Sequence, residues 1–419
     1  MTESHRQRLV VVGGGQAAFS FAEKARALLP DADITIVCDE PVLPYQRPPL
    51  SKKYMTGELE RESLTFRTAD WFAQQEINVL KGRRVCAIDR SAQTVSIEGD
   101  GQQDEQTLVY DKLMLATGSR ARPFPHSMGG DLEGVYLMRN IADADALAPE
   151  LKAGGKVVVI GGGYIGLEAA SVARKAGMDV TIVEASQRIL QRVASAETSD
   201  WFRQLHMDHG VSVYEAAQVE GFMNDDGRAV SVLIQDRDGT GHELPADVIL
   251  VGIGIIPNLE LAENAGIAVD NGIAVDARAR TSDPDIFAAG DCASFEFQGT
   301  RIRLESVQNA IEQAQCAAME IAGQGADYSP VPWFWSEQYD TMLQIAGLNA
   351  HHDQIVVREG SRDGSISHWY FREGEFISVD AMNEPRAYLP GKKLLELGRA
   401  ITPEQAGNPN FDLKTLMRG

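Results

Sequence analysis

Two stretches of the chain place small residues at a spacing that lets a backbone approach a diphosphate. They are Gly13-x-Gly15-x-x-Ala18 and Gly161-x-Gly163-x-x-Gly166. The first glycine permits a tight turn, the second lets the backbone approach a pyrophosphate, and the third small residue lets a helix pack closely on a strand. One copy arises easily by chance. Two copies, each between an apolar strand and a small-residue helix, predict two dinucleotides on one polypeptide and favour electron transfer between them.

An acidic residue follows each glycine pattern at the end of the next predicted strand. Such a residue is expected to bind the ribose hydroxyls of the dinucleotide, and we call it the ribose acid. After the first pattern it is Asp39 or Glu40, of which Asp39 is favoured, and after the second it is Glu184. A carboxylate at the second position accepts bonds from both ribose hydroxyls and repels a 2′-phosphate, so it favours NADH over NADPH. Arg188 and Arg192 oppose this preference, because an arginine in that loop can hold a 2′-phosphate or the pyrophosphate.

Two further short motifs end apolar strands, at Thr117-Gly118 and at Gly290-Asp291. A glycine at the end of a strand frees the backbone, and a carboxylate beside it can bond a chain of sugar-like hydroxyls. Each motif alone is a common turn. Together they match the second FAD signature of flavoproteins that bind two dinucleotides.

The elements that must position these motifs alternate between strands and helices from residue 8 to residue 290. This alternation predicts parallel sheets covered by helices. The predicted strands are Leu9–Val12, Ile34–Val37, Lys112–Ala116, Lys156–Ile160, Val180–Glu184, Val248–Gly252 and Ile286–Ala289. After Pro330 aromatic and alternating segments follow, with turns at Asp363-Gly364 and Glu373-Gly374, which predict antiparallel strands.

The order of the motifs predicts an α/β protein in which a nicotinamide domain is inserted into a discontinuous flavin domain. Both are expected to be Rossmann-like, and an α+β domain with an antiparallel sheet follows them. The expected division is residues 1–118 for the first part of the FAD-binding domain, 119–248 for the NADH-binding domain, 249–328 for the second part of the FAD-binding domain, and 329–419 for a C-terminal interface domain.

Composition narrows the class of protein further. A chain of 419 residues with 44% hydrophobic and 24% charged residues is typical of a soluble globular protein. Its net charge of −21 makes nucleic acid and anionic membranes poor partners. Residues 1–8 lack the pattern of a signal peptide, and no apolar run approaches the roughly 18 residues of a membrane span. We therefore expect a cytoplasmic protein.

The four cysteines, Cys38, Cys86, Cys292 and Cys316, are widely separated and contain no Cys-x-x-Cys pair. This spacing argues against a metal cluster and against a disulfide framework, so we expect reduced structural thiols and no bound metal.

At this point the chain resembles a known family, the oxygenase-coupled, NADH-dependent ferredoxin reductases of the glutathione-reductase-type flavoprotein superfamily. The resemblance covers nearly the whole chain. It is carried by the glycine motifs above and by Arg47-Pro-Pro-Leu-Ser-Lys52, the segment 161–168, Gly252-Ile-Gly-Ile-Ile-Pro-Asn258, Glu305-Ser-Val-Gln-Asn-Ala310 and Pro332-Trp-Phe-Trp-Ser-Glu-Gln-Tyr339.

The resemblance implies catalytic roles for Lys52, Glu168 and Trp335. Lys52 is expected beside the flavin, paired with Glu168, which would position the nicotinamide carboxamide. Tyr164 is expected to cover the flavin where the nicotinamide stacks, and Trp335 to lie at the opposite flavin edge. Without the resemblance, Lys52 reads as a surface cation and Trp335, with Trp333, as a core anchor.

The full set of expected cofactor-binding residues joins the motif positions to those that the resemblance implies. Of these, Val85 and Val307 also fit an ordinary core role. For FAD the set is Gly13, Gly15, Ala17, Ala18, Asp39, Arg47, Lys52, Val85, Thr117, Gly118, Arg139, Gly290, Asp291 and Val307, and for NADH it is Gly161, Gly163, Tyr164, Ile165, Gly166, Glu184, Arg192 and Gly254.

The family implies a partner, a small acidic 2Fe-2S ferredoxin that docks near the exposed flavin edge and supplies a haem-thiolate monooxygenase or an aromatic-ring dioxygenase. A basic patch is needed because a chain this acidic would otherwise repel such a partner. Arg301, Arg303, Lys392 and Lys393 are the candidates, with Arg303 foremost, although most exposed cations are merely solvated. The chain is expected to be a monomer or a weak homodimer.

Related flavoproteins offer alternative functions. Disulfide reductases need a Cys-x-x-x-x-Cys pair, and NADH peroxidases and oxidases need one cysteine, in the region of residues 45–52, where this chain has none. These absences exclude the disulfide chemistry and count against an oxidase. The alternatives that remain are a rubredoxin-type reductase, an NADH oxidase and, in another class, a non-enzymatic interaction protein resembling apoptosis-inducing factor.

Overall fold

A computed structural model describes residues 6–99 and 105–417 of the chain. The first five residues, on which part of the expectation about a signal peptide rests, lie outside the described residues. Among the residues described, no helix is long and apolar enough to cross a membrane.

The strands in chain order are β1 (Arg8–Val12), β2 (Asp33–Cys38), β3 (Ile77–Lys81), β4 (Val85–Asp89), β5 (Thr94–Ile97), β6 (Gln106–Val109), β7 (Lys112–Leu115), β8 (Ser119–Ala121), β9 (Val135–Tyr136), β10 (Lys156–Ile160), β11 (Asp179–Glu184), β12 (Ser212–Glu215), β13 (Gln218–Asp225), β14 (Arg228–Gln235), β15 (Gly241–Pro245), β16 (Val248–Val251), β17 (Ile255–Pro257), β18 (Ile273–Ala274), β19 (Ile286–Ala288), β20 (Ala293–Phe297), β21 (Thr300–Ile302), β22 (Trp333–Gln338), β23 (Thr341–Gly347), β24 (Gln354–Glu359), β25 (Ile366–Arg372) and β26 (Glu375–Met382).

The α-helices are α1 (Gln16–Leu28), α2 (Ala69–Gln74), α3 (Ile141–Leu147), α4 (Tyr164–Lys175), α5 (Ala196–Asp208), α6 (Glu260–Asn264), α7 (Val307–Ile321), α8 (Pro385–Leu397) and α9 (Pro403–Gly407). Short 3-10 helices occur at Pro48–Ser51, Arg61–Leu64, His126–Met128, Ala148–Glu150 and Leu413–Met417.

The chain forms two compact units. The first unit comprises Met1–Arg47, Arg61–Arg120 and Ile256–Pro330, and the second comprises Pro48–Glu60, Ala121–Ile255 and Val331–Gly419.

The first unit is built on a five-stranded parallel sheet in the order β19-β7-β1-β2-β3. Because the side chains of a strand alternate between faces, Leu9 and Val11 pack with α1 and α7, whereas Val10 and Val12 pack with antiparallel strands β4, β5 and β20. Burial of both faces accounts for the unbroken apolar run from Leu9 to Val12 in β1, as expected of a parallel sheet.

The second unit repeats this plan and adds an antiparallel sheet. Its parallel strands lie in the order β12-β11-β10-β16-β9, followed along the chain by a sheet of β22-β23-β26-β25-β24. The hairpin at Asp363-Gly364 and the turn at Glu373-Gly374 lie where the sequence predicts them. The two parallel dinucleotide folds and the antiparallel C-terminal sheet confirm the predicted fold class.

The C-terminal sheet has one apolar face and one polar face, and both are buried. Trp369, Val379 and Ala381 pack under α8 on the apolar face. The polar side chains occupy the opposite face, at Ser336, Gln338, His368, Tyr370 and Asp380, and each is no more than 2% exposed. Buried polar groups require partners, so this face is expected to meet hydrogen-bonding groups of other elements.

Candidate functional site

The first glycine turn joins β1 to α1. Gly13 has φ +123°, and a Cβ on it would lie 2.1 Å from the carbonyl oxygen of Ala116, so packing of the neighbouring strand requires glycine there. Gly15 differs, because its φ is −94° and a Cβ would meet nothing closer than Arg47 Nε at 3.9 Å. The protein itself therefore leaves room at Gly15, as expected where a ligand approaches the backbone.

The second glycine turn joins β10 to α4 with the same geometry. Gly161 has φ +105°, and a Cβ on it would lie 2.5 Å from the carbonyl oxygen of Gly252. At Gly166 a Cβ would lie 2.2 Å from the carbonyl oxygen of Gly161, which requires glycine for close helix packing. At Gly163 the φ is −81°, and no described residue comes within 4 Å of a Cβ built there. This second position again has space for an approaching ligand.

The helices after the two turns begin without a side-chain cap. Gly15 and Gly163 are the N-cap residues of α1 and α4, and neither helix has an acidic residue in its first turn. The other described helices of comparable length, α5, α7 and α8, are capped by Ser195, Ser306 and Glu384. The uncapped N–H groups and the positive end of the helix dipole make α1 and α4 suited to bind phosphate.

The strand-end motifs lie together around the first turn. Gly290, with φ +83°, lies against Ala17 of α1, and its N–H donates to Gln313 Oε1 at 3.0 Å. Thr117 Oγ1 donates to the carbonyl oxygen of Asn258 at 2.8 Å. Ser119 Oγ donates to Asp291 Oδ2 at 3.0 Å. The structure thus brings both ends of the discontinuous first unit to one edge of its sheet.

The remaining predicted residues of the first unit occupy different environments. Ala18 and Val85 are buried in its core, whereas Val307 is half-buried at the start of α7. Gly118, the residue after Thr117, has φ +62°, a backbone conformation that favours glycine.

The acids after β2 are not equivalent. Asp39 is exposed, whereas Glu40 accepts hydrogen bonds from Tyr45 Oη at 2.6 Å and from Arg47 Nη2 at 2.5 Å. The Arg47 guanidinium thereby lies beside the first turn with one side held by Glu40. Of the two candidates for the ribose acid, Asp39 is the one whose carboxylate faces solvent.

Glu184 holds the second turn together. Its carboxylate accepts from the N–H of Gly162 at 2.7 Å and from the N–H of Ser186 at 2.6 Å. Arg188 donates to the carbonyl oxygen of Ser195 at 3.1 Å and to the hydroxyl of Ser199, so its guanidinium is directed to the start of α5.

Arg192 and Ile165 differ from Arg188 in being exposed. The guanidinium of Arg192 lies 3.4 Å from the position that a Cβ of Gly254 would occupy. Gly254 has φ +103°, which favours glycine at this point of the loop. Of the two arginines after Glu184, only Arg192 therefore lies beside the loop that carries Gly254.

Lys52 and Glu168 form an ion pair inside the second unit. The two prolines before Lys52 begin a 3-10 helix, and Lys52 Nζ lies 2.6 Å from Glu168 Oε2. Ser51 Oγ donates to the same oxygen at 2.8 Å, and Ser336 Oγ donates to Glu168 Oε1 at 2.8 Å. The Glu168 side chain is 4% exposed, so these donors offset the cost of its burial. The pairing that the resemblance implies is present.

Tyr164 begins α4, and its ring packs on Phe334 with ring centroids 4.7 Å apart. Its hydroxyl is buried, and no described residue bonds to it. Burial, together with the nearby charge of Asp380, raises the pKa of Tyr164 well above its ordinary value. The side chain is therefore a neutral aromatic surface at the second glycine turn.

Trp335 and Trp333 lie on the α8 side of the C-terminal sheet. Their rings stack with centroids 5.6 Å apart, and Lys392 Nζ lies 4.8 Å from the centroid of Trp333. Both indoles are half-buried.

Arg139, the remaining residue that the resemblance implies, lies just before α3, where its backbone N–H donates to Asp143 Oδ2 at 2.8 Å.

Each of the four candidate docking cations has an acidic neighbour. Arg303 Nη1 lies 2.5 Å from Glu305 and donates to the carbonyl oxygen of Asp291 at 3.2 Å. Arg301 lies 3.7 Å from Asp270 and donates to the carbonyl oxygen of Ser294 at 2.8 Å. Lys392 and Lys393 share Glu396, at 3.8 and 3.1 Å. Such pairing reduces the positive field that each cation projects into solvent.

The cysteines have the character of structural thiols. Burial raises the pKa of Cys38 to about 12 and of Cys316 to about 11, and it also raises the pKa of Cys292. Cys86 is half-buried. Within residues 6–99 and 105–417, no cluster of three or more His, Cys, Asp or Glu side chains is arranged to hold a metal ion.

Sequence reasoning missed the serines that bond to Glu168. Ser51 and Ser336 lie inside the motifs 47–52 and 332–339, yet they are separated from Glu168 by 117 and 168 residues. The only signal is the period of two at Ser336 and Gln338, which places both side chains on one face of β22.

Both parts of the chain match known protein families. A family model of pyridine nucleotide-disulphide oxidoreductases matches residues 7–320, and one of the reductase C-terminal domain matches residues 333–417. Rhodocoxin reductase of Rhodococcus erythropolis is 43% identical over 408 residues, which cover 97% of this chain and 93% of that protein. Putidaredoxin reductase CamA of Pseudomonas putida is 39% identical over 415 residues, covering 98% and 96%.

The crystal structure of the covalent putidaredoxin reductase–putidaredoxin complex has a TM-score of 0.93 with this chain, at 38% identity and with 99% of each chain covered. The resemblance found in the sequence is thereby confirmed: the chain belongs to the pyridine nucleotide-disulphide oxidoreductase family, and its relatives include rhodocoxin reductase and putidaredoxin reductase.

Proposed function

We propose that the chain is an FAD-dependent NADH:ferredoxin reductase that serves an oxygenase through a 2Fe-2S ferredoxin. This proposal rests on two observations. Each unit has a glycine turn followed by a helix without a side-chain cap, and Lys52 and Glu168 form a buried ion pair. The names of the relatives support it, since they include rhodocoxin reductase and putidaredoxin reductase.

FAD fits the first unit. The turn at Gly13 and Gly15 takes the pyrophosphate at the N-terminus of α1, and Asp39 accepts the ribose hydroxyls. Arg47 lies beside that turn and Asp291 at the sheet edge. Ala17, Ala18, Val85, Thr117, Gly118, Gly290 and Val307 complete the proposed contacts in this unit, and Lys52 and Arg139 are proposed from the resemblance.

NADH fits the second unit. Gly161, Gly163 and Gly166 shape the turn that takes its pyrophosphate, and Glu184 faces the adenosine ribose. Because Arg188 is bonded to the start of α5, Arg192 is the remaining arginine of that loop for a phosphate, beside Gly254. Ile165 is exposed on the first turn of α4 and is proposed to contact the nucleotide. This arrangement favours NADH over NADPH.

A bound flavin accepts two electrons as a hydride and releases them one at a time. Glu168, held by three donors, is proposed to orient the nicotinamide carboxamide, while the Lys52 ammonium favours negative charge on the reacting ring system. Tyr164 offers an apolar face and excludes water, and Trp335 is proposed to line the edge where electrons leave.

The partner is proposed to be a small acidic ferredoxin. The candidate contacts are Arg301 and Arg303 in the first unit and Lys392 and Lys393 in the second. Since each cation has an acidic neighbour, docking would require these local pairs to exchange for acids of the partner, which makes association sensitive to salt. We propose that the protein is a monomer or a weak homodimer. We also propose that its domain boundaries follow residues 118, 248 and 328, as the sequence predicts.

The decisive experiment measures NADH-dependent reduction of cytochrome c with the purified holoprotein. Rapid reduction only when a 2Fe-2S ferredoxin is added supports the proposal. Equal rates with rubredoxin favour a rubredoxin reductase, and rapid ferredoxin-independent oxygen consumption favours an oxidase. Flavin binding without turnover toward any acceptor favours a non-enzymatic interaction protein.

A further inference from the structure

A line of buried hydrogen bonds runs from helix α5 to Glu168. Tyr339 Oη lies 3.2 Å from His206 Nδ1, and His206 Nε2 lies 2.9 Å from Gln338 Oε1. Gln338 Nε2 donates to Ser336 Oγ at 3.2 Å, and Ser336 Oγ donates to Glu168 Oε1 at 2.8 Å. His206, Gln338 and Ser336 are fully buried. The ion pair with Lys52 is thus one end of a longer network.

The donor and acceptor of every hydrogen bond in this line follow from the bond between Ser336 and Glu168. An ionised carboxylate only accepts, so the single hydroxyl hydrogen of Ser336 points to Glu168. Ser336 must then accept from the amide nitrogen of Gln338, which leaves the amide oxygen facing His206. That oxygen needs a donor, so Nε2 of His206 carries the hydrogen and Nδ1 accepts from Tyr339.

The Tyr339 end of the line is fastened to the neighbouring helices. Tyr339 begins the tight turn between β22 and β23 with φ +56°, a region that tyrosine rarely adopts. Its N–H donates to Ser171 Oγ at 2.7 Å, and its carbonyl oxygen accepts from Lys175 Nζ at 2.7 Å. The ring stacks on His209 at 3.7 Å. Contacts with α4 and α5 therefore hold the turn in its strained conformation.

The imidazole of His206 is suited to a fixed role. Burial, aided by the nearby charge of His209, lowers the pKa of His206 to about 4, although the bond to Gln338 opposes this shift. Burial raises the pKa of the facing Tyr339 hydroxyl, which stays a donor. At neutral pH the ring is neutral, and its single hydrogen must lie on one nitrogen.

We propose that Ser336, Gln338 and His206 are positioning residues that fix the Glu168 carboxylate against Lys52. They thereby couple the packing of α5 on the β22–β23 hairpin to the reacting centre. The inference deepens the proposed function, and its kinetic test rests on that function. Its structural test does not.

The structural test is ¹⁵N NMR of the histidine-labelled, oxidised holoprotein. His206 is expected to be neutral at pH 7 with its hydrogen on Nε2, and Gln338→Met is expected to shift that Nε2 resonance. A cationic His206, or a hydrogen on Nδ1, would reverse the required bond directions and overturn the proposal. The wild-type spectrum alone gives this result, so it does not depend on turnover or on the folding of the Gln338→Met variant.

The kinetic test follows anaerobic flavin reduction by NADH in stopped flow. Ser336→Ala is expected to slow reduction about tenfold with little change in NADH affinity, as when a positioned group loses one charge-assisted hydrogen bond. His206→Leu is expected to slow reduction, whereas His206→Gln keeps a donor at the Nε2 position and is expected to restore most of the rate.

The matched control is Ser367→Ala. It removes a buried bond of 3.1 Å from Trp369 Nε1, on the other face of the same sheet. Its rate is expected to equal that of the wild type. Equal slowing in Ser367→Ala and Ser336→Ala would reduce the line to a structural role. If the wild type itself shows no reduction by NADH, the proposed function fails, whereas an active wild type with fully active Ser336→Ala contradicts this inference alone.

Discussion

The two glycine turns have the same backbone geometry but are braced differently. Around the first turn, Glu40 pairs with Arg47 and leaves Asp39 exposed. At the second turn Glu184 itself bonds the N–H groups of Gly162 and Ser186. In the first unit the proposed ribose acid, Asp39, is a different residue from the pair that supports the turn. In the second unit Glu184 has both roles. A sequence repeat thus preserves the turn while its supporting contacts diverge.

The largest effects are expected from the first glycine of each turn. Gly13→Ala and Gly161→Ala each force a Cβ onto a backbone carbonyl oxygen, at 2.1 and 2.5 Å, from a positive φ. Gly13→Ala is expected to yield protein without flavin. Gly161→Ala is expected to keep flavin and lose at least about 100-fold in kcat/KM for NADH, a barrier increase of about 2.7 kcal/mol. Loss of flavin from Gly161→Ala alone would contradict the assignment of the two turns.

Acid sensitivity should also separate the two units, since every described histidine lies in the second. Burial lowers the pKa of His206 and of His368 to about 4 from 6.5, so the unfolded state binds more protons between these values and stability falls on acidification. Asp380 opposes this, because burial raises its pKa to about 6 and its folded form gains protons first.

Urea unfolding at pH 8 and pH 5 measures the contribution of His206. The decrease in unfolding free energy between these pH values should be about 2 kcal/mol smaller in His206→Gln than in the wild type. An identical decrease in both proteins would show that the His206 ring is not held neutral in the folded state.

A smaller effect is expected from the second glycine of each pattern, where the protein has room for a side chain. Gly163→Ala is expected to leave the thermal midpoint nearly unchanged and to weaken NADH binding about tenfold, or about 1.4 kcal/mol. Gly15→Ala should leave the binding of NADH unaffected and loosen flavin instead. A Gly163→Ala protein that binds NADH as the wild type does would remove the pyrophosphate from that turn.

The smallest effect concerns the two acids. Glu184→Gln keeps an acceptor for the turn but removes the charge that repels a 2′-phosphate, so the ratio of kcat/KM for NADH to that for NADPH should fall about fivefold. Glu184→Ala also removes the brace and should lower both values. The control, Asp39→Asn, should leave the ratio unchanged; a comparable fall in this variant would show that the two acids are not assigned to different nucleotides.

The sequence predicts features whose cause is local. The glycine turns and the seven strands whose bounds the sequence predicts lie within a residue or two of the expected positions, because apolar runs and turn residues are local features of the chain. The Lys52–Glu168 pair, 116 residues apart, came only from family resemblance. Neither the local pattern nor the resemblance predicts the bond from Ser336 to Glu168 or the partners of Arg188, since tertiary packing alone brings these side chains together.

The most direct test of two nucleotide sites on one chain is an anaerobic titration of the purified protein with NADH, followed by the visible flavin absorbance. The account predicts yellow protein with one FAD per chain, whose colour is bleached by one equivalent of NADH. Protein that stays colourless after incubation with FAD, or yellow protein that NADH does not bleach, would contradict it.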